Sequence, residues 1–206
     1  MKTSTVIVSL TALFAIAASA QPPAQPSQPP QPVRVRGTVQ SFDGQKIAIA
    51  TKSDGVVQLA VTEQTGINGL EAKTVADIGD NTFIGATAVK SSAGRWQATE
   101  IHIFPESMRG AGEGHYAWDL PESSMTNGAV TGNTSGGGGR TLRVKYKDGE
   151  TEVDVTAKTV IVALTAGDRA LLKPGASVFA LAIPAEGGGA NAIAIIAETN
   201  GLKPPM

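Results

Sequence analysis

From about residue 35 onward, apolar and polar residues alternate in short runs separated by glycine-containing turns. Ile47 and Ile49 share one face and leave Lys46 on the other, while Val57, Leu59 and Val61 oppose Gln58 and Thr62. A period of two with one apolar face predicts half-buried antiparallel strands. Five are expected in the first half, at 35–42, 45–51, 56–62, 82–90 and 95–104. The turns between them carry hairpin residues at Asp43-Gly44, Ser53-Asp54-Gly55 and Ser92-Ala93-Gly94. The interval 63–81 breaks the alternation with Leu70, Val75 and Ile78 and ends in Asp77-Ile78-Gly79-Asp80, room for a short helical turn and a tight turn. Three strands, a short helix and two strands is the order of a five-stranded OB-type Greek-key barrel.

The plan then recurs. Gly128-Ala129-Val130 matches Gly37-Thr38-Val39, and Lys147-Asp148-Gly149 matches Ser53-Asp54-Gly55. Lys173-Pro174-Gly175 with Phe179 matches Asp77-Ile78-Gly79 with Phe83. The offsets (128 − 37 = 91, 149 − 55 = 94, 175 − 79 = 96) drift only by what turn insertions produce. Leu142, Val144 and Tyr146 alternate with Arg143 and Lys145, and Val153 and Val155 with Glu152 and Asp154. Strands are expected again at 178–183 and 192–197, around a Gly187-Gly188-Gly189 turn. The pattern predicts an all-β chain of two tandem small OB-like antiparallel β-barrels, at 33–104 and 128–200, joined by an ordered connector at 105–127 and followed by a tail at 201–206.

The N-terminus reads differently. Lys2, an apolar run from Val6 to Ala18, and Ala18-Ser19-Ala20 have the layout of a cleaved signal peptide over residues 1–20. At about 1.5 Å per residue that run is too short to cross a hydrocarbon core of about 30 Å. Residues 21–32 are proline-dense and predict an extended linker. An exported, periplasmic chain with no membrane span after cleavage is the expectation. Zero Cys excludes disulfides and thiolate metal sites, so the fold must rest on packing. With 17 basic against 18 acidic residues the chain offers no electrostatic footprint for nucleic acid or anionic lipid.

Common catalytic motifs fail on inspection. The Ser135 to Arg140 run SGGGGR lacks the Lys-Ser/Thr of a phosphate loop and precedes a strand, not a helix. Gly110, Gly112 and Gly114 lack the spacing and βαβ context of a dinucleotide site. His102 and Glu100 share a strand face and read as a solvated pair. Glu106, Glu113, Asp119 and Glu122 near His115 read as charges that keep an exposed connector soluble. A non-enzymatic protein is expected.

What chemistry the chain carries is concentrated in the connector, which holds Met108 and Met125, the only methionines away from the ends, with His115 and Trp118. Thioethers and imidazole suit Cu(I) or Ag(I) where no thiolate exists, and an indole face can shield the cation. This ligand set resembles that of small OB-fold periplasmic copper and silver chaperones, although there the ligands sit on barrel strands. The competing expectation is structural, with Trp118, Leu120 and Met125 anchoring the connector between the barrels. The motif Gly110-Ala111-Gly112-Glu113-Gly114-His115-Tyr116-Ala117-Trp118-Asp119-Leu120, with the two repeats and their G-x-V starts, resembles an uncharacterised family of exported bacterial proteins, domain of unknown function 5666. That resemblance implies an envelope location and a barrel-like β fold but supplies no site residues. The functional expectation is a periplasmic binding or scaffolding protein for a small ligand or an envelope partner, with Cu(I) or Ag(I) at Met108, His115, Met125 and Trp118 as the alternative.

Overall fold

The alternating runs become strands almost where the pattern places them. The structure, a computed structural model, describes residues 32–136, 139–185 and 188–205; residues 1–31, where the leader and most of the linker are expected, lie outside the described residues. The first repeat supplies β1 (Val33–Phe42), β2 (Lys46–Ala50), β3 (Val56–Ala72), β4 (Phe83–Lys90) and β5 (Trp96–Ile103). A short strand β6 (Gly114–Ala117) follows. The second repeat supplies β7 (Ser123–Gly136), β8 (Gly139–Tyr146), β9 (Gly149–Val155), β10 (Val160–Ala166), β11 (Ser177–Pro184) and β12 (Ala190–Ala197). Single 3-10 turns occupy Val75–Asp77, Glu106–Met108 and Arg169–Leu171. The chain is all-β, as its period-two pattern requires.

One continuous sheet runs β12-β11-β1-β2-β3-β10-β5-β4-β7-β8-β9 and closes on itself twice. Parallel pairing of β12 with β3 closes the first ring, β1-β2-β3-β12-β11, and parallel pairing of β5 with β9 closes the second, β7-β8-β9-β5-β4. Each ring has the strand order of an OB-type barrel. Neither is contiguous in sequence. Each takes its first three strands from one repeat and its last two from the other, so residues 33–104 and 128–200 are repeats but not barrels. The crossing is made where β3 lies antiparallel to β10, with Leu70 opposite Leu164. Those two residues are repeat equivalents (164 − 70 = 94), so a pseudo-twofold axis passes between them. Because β4-β5 and β11-β12 are equivalent hairpins, each fits the other repeat's ring, and the chain running out along β3 delivers its hairpin across the axis.

Three further boundaries differ from expectation. β7 begins at Ser123, so Met125 belongs to a ring and not to the connector. β10 is an additional strand, equivalent to the far half of the long β3; a Thr156/Thr159 turn interrupts the second copy where β3 runs on. The third repeat match slips by two: the Gly175 amide donates to the Val39 carbonyl as the Asn81 amide does to Val130, both residues having positive φ. Phe179 is therefore the equivalent of Gly85 and not of Phe83.

Each ring encloses an aliphatic core. Ile47, Ile49, Leu59 and Ile195 fill the first, capped by Leu172; Ile84, Ile101, Leu142 and Val144 fill the second, capped by Ile78. At roughly 1.5–3 kcal/mol per buried aliphatic side chain, these interiors dominate stability. A third cluster, with Leu70, Val162, Leu164, Phe179 and Ile196, lies between the rings, and Phe104, Met108 and Trp118 pack on it.

Candidate functional site

The segment from Phe104 to Glu122 is a strap laid across both rings. Its first turn is pinned to ring two by Arg109, which pairs with Glu106, donates to the Asn81 carbonyl at 2.9 Å and lies over the Phe83 ring. β6 then pairs antiparallel with the start of β7, setting His115 opposite Thr126 and Tyr116 opposite Met125. The far end reaches ring one. The Arg34 guanidinium lies 3.8 Å from the centre of the Trp118 ring, and Asp119 ion-pairs with Arg34 at 3.1 Å and with Arg36. A cation over an indole contributes about 0.5–2 kcal/mol, so this contact orders the strap without any ligand. Leu120 does not serve as an anchor, being 66% exposed.

The four candidate ligands do not converge. Met108, from the turn at Glu106–Met108, and Met125, from β7, line one cavity. His115 is one position along β6 from Tyr116, so its side chain faces the other side of the ribbon. There Nδ1 bonds the Thr126 hydroxyl at 2.8 Å, and the ring stacks with Tyr146 and meets Trp96 edge-on. Trp118 is occupied by the two arginines. Among the described residues no group of three or more His, Cys, Asp or Glu is placed to hold a metal.

Burial lowers the His115 imidazole below its ordinary value. The unfolded chain therefore takes up the proton first. The stability this residue contributes is full above pH 6.5 and is lost as pH falls through the window below it. Replacing His115 with Phe should flatten the fall in Tm between pH 7 and pH 5; an unchanged slope would assign that loss to other groups.

The imidazole that does face the cavity is His102. Glu100, His102 and Phe104 share the outer face of β5, and strap and neighbouring ring bury the first two to 3% exposure each. The expected solvated pair is thus an interior one, because the outer face of ring two is covered. Glu100 Oε1 and His102 Nε2 lie 2.5 Å apart, so the two groups face each other as a buried pair. Phe104 on the same face is the sequence signal for that cover.

Beside His102, across Gly85, stands Asn127, 7% exposed. Its Nδ2 donates to the Ala111 and Gly112 carbonyls and to Tyr116 Oη, which fixes the amide orientation. Oδ1 is buried and takes no hydrogen bond. Gly85 makes the room: a Cβ there would lie 2.6 Å from Oδ1 and 2.9 Å from the Phe104 ring. On the strap side Gly112, at φ +58°, passes close over the same amide.

The cavity these groups wall is about 200 Å³ and almost wholly apolar, with Leu164, Leu181 and Ile196 opposite Met125 and His102. It straddles the pseudo-twofold axis, with one wall from each ring and the strap as its roof. A volume below the roughly 300–1,000 Å³ of drug-sized pockets suits a compact molecule. Comparison of the chain with protein-family models, curated proteins and solved structures finds no match.

Proposed function

We propose that this is a non-enzymatic binding protein whose site is the cavity between the two rings, taking a compact, mainly apolar ligand beneath the strap. The observation that carries the reading is an apolar cavity of about 200 Å³ with Asn127, whose buried Oδ1 takes no hydrogen bond, beside His102 in one wall. Leaving such an oxygen unpaired costs about 1–3 kcal/mol, a cost that a donor on a ligand would remove. The leader expected over residues 1–20 supports a ligand met in the envelope, and the stretch that resembles family 5666 is the strap itself.

Met108 and Met125 make the test direct, since two of the four methionines line the cavity. In protein carrying 13C-methyl methionine, toluene or indole is expected to shift those two methyl signals and leave the terminal ones. Ala194→Phe, which fills the cavity from ring one, should abolish the shifts. Shifts absent at millimolar probe in folded protein would sink the reading.

A second reading is supported by the company Met108 and Met125 keep: His102 joins them where His115 does not. Cu(I) or Ag(I) bound by two thioethers and this imidazole is the revised form of the soft-metal proposal. Ag(I) saturating the same two methyl shifts at one equivalent, and failing to saturate them in His102→Gln, would favour it. Broad, unsaturated shifts would remove it.

A further inference from the structure

The two walls of the cavity are repeat equivalents that have become chemically opposite. The β7–β4 pair Asn127–Gly85 in ring two matches the β1–β11 pair Arg36–Phe179 in ring one, and Met125–Thr87 matches Arg34–Leu181. His102, which lies beside Gly85 and Val162, matches Ile196, which lies beside Phe179 and Asn68. Glu100 matches Ala194 in the same way. On the ring-one wall the two arginines turn to the strap, Arg36 lying 4.7 Å over the Phe179 ring and pairing with Asp119. What ring one shows the cavity is Phe179, Leu181, Ala194 and Ile196, with Asn68 of β3 beside Ile196; what ring two shows it is His102, Met125 and Asn127, with Phe104 beyond His102.

We infer that the ligand is bound in one orientation: an apolar body against ring one and a single hydrogen-bond donor, an N–H or O–H, against ring two. The inference rests on the cavity reading above and adds the chemical class. Asn127 has its donor nitrogen committed to the strap, so only its oxygen is left, and an oxygen calls for a donor. Its amide is fixed by Ala111, Gly112 and Tyr116 and cannot turn over to accommodate an acceptor instead. Binding a donor there also ties occupancy to the strap, because the same amide holds the strap down. A planar ring carrying one N–H or O–H has the required shape and polarity. A charged ammonium or carboxylate does not, since most of the lining is aliphatic or aromatic and would leave the ion desolvated.

The test compares ligands of equal shape in the intact chain. Indole and benzofuran differ by N–H against ring oxygen. Titrated into 13C-methyl-methionine protein, indole is expected to bind at least tenfold more tightly, because a site built to meet a donor rejects the analogue lacking it. In Asn127→Leu the ratio of the two affinities should fall below threefold. The ratio is the readout, so a general weakening from a loosened strap does not imitate the result. Equal affinities in the wild type, or a ratio unchanged in Asn127→Leu, would overturn the donor assignment and leave the cavity reading standing. Neither compound moving the Met108 or Met125 methyls would overturn both.

Discussion

Produced alone, residues 33–104 will not give a folded monomer. That fragment contains a whole repeat, yet its β1-β2-β3 ribbon lacks β11 and β12, which close its ring, and its β4-β5 hairpin lacks the β7-β8-β9 ribbon it joins. Ile47, Ile49 and Leu59 would lose Val178, Ala180 and Ile195 from across the core. At roughly 1.5–3 kcal/mol for each large aliphatic side chain, losing a few such contacts is comparable to the roughly 5–15 kcal/mol that holds a typical domain together. The fragment should be unfolded, or should form a dimer in which each copy lends its β4-β5 hairpin to the other. Mixed with residues 105–205 it should give a one-to-one complex with the spectrum of the intact chain. Sedimentation and a 1H–15N correlation spectrum decide the matter: a well-dispersed monomer of residues 33–104 would mean the hairpin can close its own repeat's ring.

The second large effect sits at two glycines. A Cβ on Gly37 would lie 2.0 Å from the Ala50 carbonyl oxygen, and one on Gly128 would lie 2.3 Å from that of Lys145. These are repeat equivalents, each two residues before the irregularity in its ring's first hairpin. The obstacle is backbone, so no rotamer change relieves it, and moving the strand would break the register that fills the core. Gly37→Ala and Gly128→Ala should each cost about 3 kcal/mol or more. In a chain of this size that is a fall in Tm of roughly 6–12 °C. Gly136→Ala, with nothing within 4 Å among the described residues, is the control and should change Tm little. Thermal scans in which the three variants coincide would show that the strands yield at these points.

The G-x-V starts were thus visible as a repeat signature before their cause was: Gly37 and Gly128 pass close over a neighbouring strand. Strand identity was legible where Ile47, Ile49, Leu142 and Val144 alternate cleanly, because a half-buried strand writes its period into the sequence; β6, β10 and the run of β3 on to Ala72 were not, because they lack that clean alternation. Ring membership was not. Alternation tells a residue which face it occupies but not which partner strand lies beside it, and β4 and β11 are equivalent enough to be read in either ring. The site was half legible for the same reason. Met108 and Met125 drew attention as unusual residue types. His102, Glu100 and Asn127 lie on the outer surface of a ring and become interior only because the other ring and the strap cover them. His115 was misplaced because a single position along β6 reverses the face of the ribbon.

The pairing of Leu70 with Leu164 across the axis has a final consequence. A homodimer of two identical half-length chains could build the same pair of rings, but it would be bound to place the same side chain on both walls of the central cavity. Joining the halves through the strap removes that obligation. Asn127 and Arg36, or His102 and Ile196, can then differ while the backbone keeps its symmetry. Covalent linkage also replaces a bimolecular association by an intramolecular one. In this molecule it does more: it lets a symmetric scaffold distinguish one end of a ligand from the other.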